Sequence, residues 1–483
     1  MMRAARDLLA VWHPVALAIS YVLISFSATP LPASALPRPL FLAIAATILL
    51  QCVLWIILRR RHVASLVTSA IVLVSSAAWL ALGIAAAGLT WWLLVSWRRR
   101  ARGVRPLRIS IASFIGLFGG VFWFMALVAA VPVVGVLFAA TQGAPEPRGS
   151  TSGDEPDIVV VLLDGYPRAD TLRRIGMDNT EFLDALGERG FTTAASSRAN
   201  YTSTWATLSS MFHGRHLEDI PELEQPYPDG AAEQYRALMR LIREAPMLES
   251  FRAQGYEIVT LPPPLEGAQL TAADRVISPP QMTAFELSLI QRSPLGYLVL
   301  KLNPSIAYAQ HQERTEETLR LAARELEREA ERPRFVFAHV TSPHAPMVAD
   351  AGGEPVTPAP CFPDCSMYVF GSVEDWERLP GQITDLNRQV LDLVDAVLVA
   401  SPDATIVLMS DHGMRAPGAP EADLFRSFFS IRSARAVHVP DDIQPNQIMR
   451  LLAGEAIDSE PYRGWISVDE RPLDMTPYDG PNP

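Results

Sequence analysis

Long uncharged hydrophobic runs dominate the first 140 residues, and short basic clusters separate them. A helix needs about 20 mostly apolar residues to cross a membrane, and residues 8–28 and 39–58 both reach that length. The uncharged stretch 63–97 is long enough for two short spans, and a last run covers 109–139. The pattern predicts a transmembrane domain over residues 1–140.

The basic clusters decide the number and direction of these spans. They lie at Arg3 and Arg6, at Arg59–Arg61 and at Arg98–Arg108, and such clusters favour the cytoplasmic side of a membrane. All three can lie inside only if the stretch between the second and third crosses twice, which gives five spans. We therefore expect a multi-pass protein of the cytoplasmic (inner) membrane with its remaining residues outside the cytoplasm. A cleavable signal peptide within residues 1–35 is the alternative.

Beyond a Pro/Gly/Ser-rich linker at 141–156, the hydrophobic pattern alternates between strand-like runs and helical periodicity. Alternating elements of this kind indicate an α/β fold with a mostly parallel sheet covered by helices on both faces. We expect one catalytic domain over residues 157–483, in which 262–310 is a partly helical insertion. The predicted strands are 157–163, 257–261, 334–341 and 404–410, and the predicted helices are 236–253, 311–331 and 382–399.

Three of the predicted strands end in side chains that can bind a metal ion. Asp164 follows the first, His339 and His344 belong to the third, and Asp411-His412 follows the fourth. Ligands gather at the carboxyl ends of parallel strands, and carboxylate with imidazole is a common ligand set for a divalent cation. Taken singly, Asp164 could cap a helix, and His339 could be a buried core histidine.

The segment "SSRANYTSTWATLSSMFHG" supplies candidate nucleophiles. Trp205 to Phe212 has the pattern of a short helix, which would put Thr204 near its N-terminus, where the helix dipole and a nearby cation favour an alkoxide. Hydroxyl residues at helix starts also serve as simple caps. By residue type the candidates are Thr202, Ser203, Thr204, Thr207, Ser209 and Ser210.

Charge and cysteine content narrow the functional classes. Residues 1–148 contain thirteen arginines and two acidic residues, so the chain's net charge of −11 leaves −22 for the remainder. An outer domain this acidic repels phosphate backbones, which argues against a nucleic-acid partner. Cys361 and Cys365 could form a disulfide outside the cytoplasm, although two free thiols or a zinc site remain alternatives.

Four segments in order resemble the alkaline phosphatase superfamily, in its membrane-anchored, sulfatase-like and lipoteichoic acid synthase-like branch. They are "VVVLLDGYPRADTL", "RANYTSTWATLSSMFHG", "FVFAHVTSPHAPMV" and "IVLMSDHGMR". The resemblance implies metal binding by Asp164, Thr204, Asp411 and His412. It also implies that Thr204, ten residues before Gly214, is the nucleophile. His344 is similar to a family histidine that contacts substrate or leaving group, and His339 would line the same pocket.

Two departures from the family pattern narrow the expected activity. In sulfatases the nucleophile is a Cys or Ser that is oxidised to the aldehyde formylglycine, with Pro two and Arg four positions later. Thr204 cannot form that aldehyde, and neither Pro nor Arg stands at those positions. No Asp-x-x-x-His stands between residues 205 and 410, which favours one divalent metal ion, Mn²⁺, Mg²⁺ or Zn²⁺, over two.

The expected function is hydrolysis or transfer of phosphate esters, with membrane lipids or envelope glycans as the substrates. The alternatives are a sulfate-ester hydrolase and a non-catalytic envelope protein that uses the same fold for binding.

Overall fold

The computed structural model describes residues 2–27, 33–73, 155–223, 230–356, 376–468 and 471–480, together with residues 29, 31, 126–128 and 130. The chain divides into two compact units. The first comprises Met1–Gly143 and Phe285–Asn303, and the second comprises Ala144–Ala284 and Pro304–Pro483. Part of the predicted insertion therefore groups with the N-terminal unit. Residues 141–154 of the predicted linker and the pair Cys361 and Cys365 lie outside the described residues.

Apolar helices form the described part of the N-terminal unit. They are α1 (Met2–Ser27), α2 (Pro37–Leu58) and α3 (Arg61–Leu73), with α9 (Ala284–Arg292) and α10 (Pro294–Leu302) from the insertion. Among the described residues, α2 alone is long and apolar enough to cross a membrane by length and composition, and the apolar parts of α1 and α3 are shorter. The helix α2 coincides with the second predicted span. Most of the later predicted spans lie outside the described residues, so five spans stay a prediction.

A seven-stranded sheet forms the centre of the second unit, in the order β2-β7-β6-β1-β5-β3-β4. Strands β6, β1, β5, β3 and β4 run parallel, while β7 is antiparallel to both of its neighbours. The predicted α/β class with a mostly parallel sheet is confirmed. The strands are β1 (Ile158–Leu163), β2 (Thr192–Thr193), β3 (Glu257–Leu261), β4 (Arg275–Val276), β5 (Arg334–Val340), β6 (Thr405–Met409) and β7 (Phe429–Arg432), with a separate hairpin of β8 (Trp465–Val468) and β9 (Arg471–Pro477).

Helices cover both faces of this sheet, because the central strands are apolar on both sides. Val159, Val161 and Leu163 of β1 belong to one buried cluster, and the alternate residues of the strand belong to a second cluster on the opposite face. This continuous apolar pattern is typical of strands inside a parallel sheet. The helices are α4 (Ala169–Arg174), α5 (Thr180–Glu188), α6 (Thr204–His213), α7 (Ala231–Glu244), α8 (Met247–Ala253), α11 (Ser305–Glu327), α12 (Leu379–Ala400) and α13 (Pro445–Leu452).

Two sequence predictions need correction. The helix predicted over 236–253 is two helices, because Ala245 takes a left-handed conformation at the end of α7 and Pro246 starts the next turn. The antiparallel strand β7 was not predicted, because its short run of four residues carries little periodicity. The other helix predictions differ from the observed bounds by a few residues at each end.

Candidate metal-dependent active site

The central strands bring the predicted site residues to one edge of the sheet. Strand β1 lies between β5 and β6, with Leu163 paired to Val340 and Leu162 paired to Met409. Because these three strands are parallel and end in register, the residues that follow them emerge side by side. Side chains from three separate strand ends therefore lie close together, and their reactivity stays a prediction.

Asp164 is buried where β1 ends, with its amide donating to the Val340 carbonyl at 2.9 Å. Its Oδ2 lies 3.3 Å from Nε2 of His339, and its Oδ1 lies 3.4 Å from Nε2 of His412. Burial alone would raise the pKa of this carboxyl group. The hydrogen bond from His339 and the positive charge that His344 and His412 carry when protonated outweigh burial and hold the pKa of Asp164 well below its usual range.

His412 presents a lone pair to two carboxylates. Its Nδ1 lies 2.8 Å from the Gly413 carbonyl oxygen, which can only accept, so the proton of a neutral ring resides on Nδ1. Nε2 then points its lone pair at Oδ1 of Asp164 and Oδ2 of Asp411, each at 3.4 Å. None of these three buried atoms has a hydrogen-bond partner. Three electron-rich atoms facing one another require a proton or a cation between them.

His344 joins this cluster from the loop after β5, where it lies between two cis X-Pro peptide bonds. Its Nδ1 lies 3.0 Å from the Ala345 carbonyl, so the neutral ring presents an unprotonated Nε2. Burial lowers the pKa of His344, although the charge of Asp164 opposes this shift. The lowered pKa favours the neutral ring. Asp164, His344 and His412 each offer a ligand atom within 4.8 Å of the others. The donor set and the unpartnered atoms fit a divalent cation.

Gly165 allows the two imidazoles to approach Asp164. It has a positive φ of 69°, and a Cβ at this position would lie 3.2 Å from Cε1 of His412 and 3.9 Å from Cδ2 of His344. Its amide donates to Oδ1 of Asp411 at 3.0 Å, which orients that carboxylate. The glycine of "LLDGYP" therefore serves the turn and the site together.

Thr204 is the first residue of α6 and is buried. One turn later on the same helix face, Oγ1 of Thr207 donates to the Asp411 carbonyl at 3.0 Å, which places the N-terminal turn of α6 beside the cluster. Several other candidate hydroxyls are engaged in the fold. Thr202 accepts from the Ser467 amide, and Ser209 and Ser210 donate to the carbonyls of Leu238 and Arg215.

His339 supports Asp164 from within β5. Its side chain is almost completely buried, and its Nε2 hydrogen-bonds to the carboxylate. This placement favours a role in positioning Asp164 over the substrate contact expected from the sequence.

Two other motif residues, for which the sequence suggested no chemistry, have structural partners. Arg168 makes a two-pronged ion pair with Asp170 and donates to the Ser197 carbonyl, which ties the loop after β1 to the segment before α6.

The hydroxyl of Tyr166 belongs to a closed buried ring of hydrogen bonds. It donates to Oδ1 of Asn387 at 2.6 Å and accepts from Nδ2 of Asn179 at 3.0 Å, and the two asparagines bond each other at 2.7 Å. The ring joins the motif loop to α12 and to the residue before α5.

Two residues near the site were missed by the sequence analysis. His311 of α11 is buried, its Nε2 has no hydrogen-bond partner, and burial together with the charge of His344 lowers its pKa to about 4. Burial also lowers the pKa of Arg415, while Asp411 and Asp164 oppose that shift. The position of Arg415 three residues after His412 was an available signal, whereas nothing local in the sequence distinguishes His311.

Comparison with solved structures finds sulfatases, an alkaline phosphatase superfamily protein and a periplasmic domain of EptC. The EptC domain from Escherichia coli is 14% identical over 70% of this chain and 97% of that domain, with a TM-score of 0.42, and it was also solved in complex with Zn. A 2-O GAG sulfatase, BT1596, is 14% identical over 64% of this chain and 72% of its own, with a TM-score of 0.34.

A protein of the alkaline phosphatase superfamily from Vibrio parahaemolyticus is 13% identical over 66% of this chain and 74% of its own, with a TM-score of 0.38. No family profile and no curated protein sequence matches the chain. At these identities and TM-scores the likenesses assign no activity to this chain.

Proposed function

We propose that the protein is a metal-dependent hydrolase or transferase of phosphate esters that works outside the cytoplasm through a covalent intermediate on Thr204. One observation carries the proposal. Oδ1 of Asp164, Oδ2 of Asp411 and Nε2 of His412 are buried, face one another and have no hydrogen-bond partner. Such an arrangement is costly unless a proton or a cation lies between these atoms, and the donor set of two carboxylates and an imidazole suits a divalent cation.

Asp164, Asp411 and His412 would hold the metal ion together with the hydroxyl of Thr204. Carboxylate, hydroxyl and neutral imidazole suit Mn²⁺, Mg²⁺ or Zn²⁺. When bound, the ion would favour the deprotonated hydroxyl and offset negative charge on the phosphoryl group.

In the first step, the Thr204 oxygen attacks phosphorus and the bond from phosphorus to the leaving oxygen breaks. The hydroxyl proton passes to the unprotonated Nε2 of His344 and from there to the leaving oxygen. In the second step, water or an acceptor hydroxyl attacks the phosphothreonine, and its proton returns by the same route to Thr204. His344 thereby acts as a proton carrier, consistent with a neutral ring whose Nδ1 is bonded to a carbonyl.

Arg415 is the candidate for binding the anionic group. It lies close enough to Asp164 and Asp411 for their charges to affect its pKa, and a guanidinium matches phosphate oxygens in a planar, two-pronged geometry. Anchoring of the chain in a membrane by the apolar N-terminal unit would favour a lipid-linked or glycan substrate. We expect Arg415→Lys to raise KM more than it lowers kcat.

Thr204→Ala tests the nucleophile. The protein incubated with an aryl phosphate or with envelope lipids should carry a phosphate on Thr204, detectable by mass spectrometry, and the variant should lose both adduct and turnover. Thr204→Ser keeps a hydroxyl and is the matched control, expected to retain part of the activity. A variant Thr204→Ala that turns over substrate at the original rate would refute the covalent mechanism.

Metal content tests the ligand assignment separately from turnover. Asp411→Asn should lose the metal, while His344→Gln should keep it and lose turnover. Metal loss in His344→Gln would instead make His344 a ligand, in line with its place in the compact cluster. Sulfate release from an aryl sulfate would point to a sulfatase. If the original protein and Thr204→Ala bind envelope lipid equally well and neither turns over substrate, the chain would be a binding protein.

A further inference from the structure

Residues Phe285–Asn303 leave the α/β unit and pack with the N-terminal helices. This part of the predicted insertion 262–310 is called the insertion from here on. It holds α9 from its second residue and all of α10, and it leads at Pro304 into α11, the helix that carries His311. It lies within the predicted outer half of the chain, yet its contacts are those of the apolar unit.

The insertion contacts one particular end of the two N-terminal helices. The rings of Phe26 and Phe285 lie edge to face with centroids 6.0 Å apart, and Tyr21 donates to the Leu289 carbonyl at 2.8 Å. Arg38, at the start of α2, pairs with Glu286 at 3.1 Å. These contacts surround the connection between α1 and α2.

The opposite ends of the same helices carry the basic clusters. Arg3 and Arg6 lie at the start of α1, and Arg59–Arg61 follow α2. Since basic clusters favour the cytoplasm, the end that contacts the insertion is the outer end. This places the insertion at the membrane–water boundary on the outer side.

The helix α10 has the residue pattern of an element lying in that boundary. Leu298, Val299 and Leu302 are 50%, 44% and 77% exposed, while Leu300 on the other side is buried. At about 100° per residue, the three exposed side chains fall within an arc of about 100°. Nζ of Lys301 lies 5.9 Å from the ring centroid of Tyr297, and both are residue types that anchor helices at membrane interfaces.

We propose that the insertion is a membrane-interface element, docked on the outer ends of α1 and α2, whose α10 places Leu298, Val299 and Leu302 in the outer leaflet. The inference rests on the membrane placement in the proposed function. The occupant of this apolar face is phospholipid, because α9 of the same insertion contacts the start of α2, whose own side chains Phe41, Leu49, Trp55 and Ile56 are exposed on a helix long enough to span a bilayer.

Lys301 is the single lysine of the chain, which provides a direct test. The full-length protein, reconstituted in phosphatidylcholine/phosphatidylglycerol vesicles, is labelled with an amine-reactive environment-sensitive fluorophore. The Lys301→Arg variant has no lysine, so its labelling measures the fluorescence that comes from the N-terminal amine alone. The matched control is Val399→Lys in the Lys301→Arg background, because Val399 is an exposed aliphatic residue on α12 of the α/β unit, 84% exposed.

Nitroxide-bearing lipids should quench the label at position 301 at least three-fold more than the label at position 399, and aqueous iodide should show the reverse order. Leu298→Asp/Leu302→Asp should abolish the difference. A label at 301 that iodide reaches as readily as at 399 overturns the proposal. So does a label that neither quencher reaches, which would indicate a protein partner or a second copy.

The depth measurement does not depend on catalysis. Thr204→Ala protein should give the same quenching as the original protein. A protein without phosphotransfer but with lipid-quenched Lys301 would refute the proposed function and keep this inference. A protein that turns over substrate but has a water-exposed Lys301 would keep the proposed function and refute this inference.

Discussion

Replacing Gly165 with alanine adds one methyl group beside the two imidazoles of the site. The φ of 69° at this position disfavours any side chain, and the left-handed conformation costs a non-glycine residue about 1–2 kcal/mol. The lower chain entropy of unfolded alanine offsets about half of that. We therefore expect the free energy of unfolding to fall by about 1 kcal/mol from backbone strain alone.

The contact with His412 adds a second effect. The new Cβ would lie 3.2 Å from Cε1 of His412, closer than ordinary van der Waals contact, so the ring must move by a few tenths of an ångström. Metal–ligand distances tolerate deviations of about 0.2 Å. Displacing a ligand by more than that should weaken metal binding about ten-fold, which corresponds to about 1.4 kcal/mol.

Gly176→Ala separates these two effects. Gly176 also has a positive φ, 87°, but a Cβ there would meet nothing within 4 Å. Thermal unfolding of the metal-free proteins should show similar destabilisation in both variants, and calorimetric titration with Mn²⁺ or Zn²⁺ should show weaker binding in Gly165→Ala alone. Equal metal affinity in the two variants would refute the argument that Gly165 exists to admit the imidazoles.

Three further predictions concern the fold around the site. Gly413→Ala should prevent folding, because its Cβ would lie 1.9 Å from the Asp423 carbonyl oxygen, a main-chain atom with little freedom to move; resistance to protease at the original level would contradict this. Tyr166→Phe should lower the free energy of unfolding by about 1–3 kcal/mol, since Oδ1 of Asn387 and Nδ2 of Asn179 lose the hydroxyl that they bond, and an unchanged thermal midpoint would exclude that role. Burial lowers the pKa of His311 to about 4, so between about pH 6.5 and 4 the unfolded chain binds a proton that the folded chain does not, and stability falls as pH falls through this window. His311→Gln should therefore flatten the pH dependence of the thermal midpoint in this window. An unaltered slope would contradict the prediction.

The sequence predicted the parallel sheet because its signal is strong and local. The run that ends at Asp164 is apolar at every position, as expected for a strand covered on both faces, and the helix before Thr405 has clear periodicity. The grouping of Asp164, Asp411 and His412 at one edge of the sheet could be predicted because each follows the end of such a strand. The short antiparallel edge strand at Phe429–Arg432 could not, since four residues carry too little pattern.

Tertiary structure decided what the pattern leaves open. The proton positions on His412 and His344 depend on which carbonyl each Nδ1 meets, and only the folded loops bring those carbonyls within 3.0 Å. His311 reaches the neighbourhood of the site through the packing of a long helix that has no local motif. The position of the insertion in the chain predicted that it belongs to the outer domain, yet its contacts join it to the N-terminal helices. Local composition determines which elements form, because periodicity and burial are properties of short segments. Which side chains meet depends on how segments far apart in the chain pack together, and no short segment contains that information.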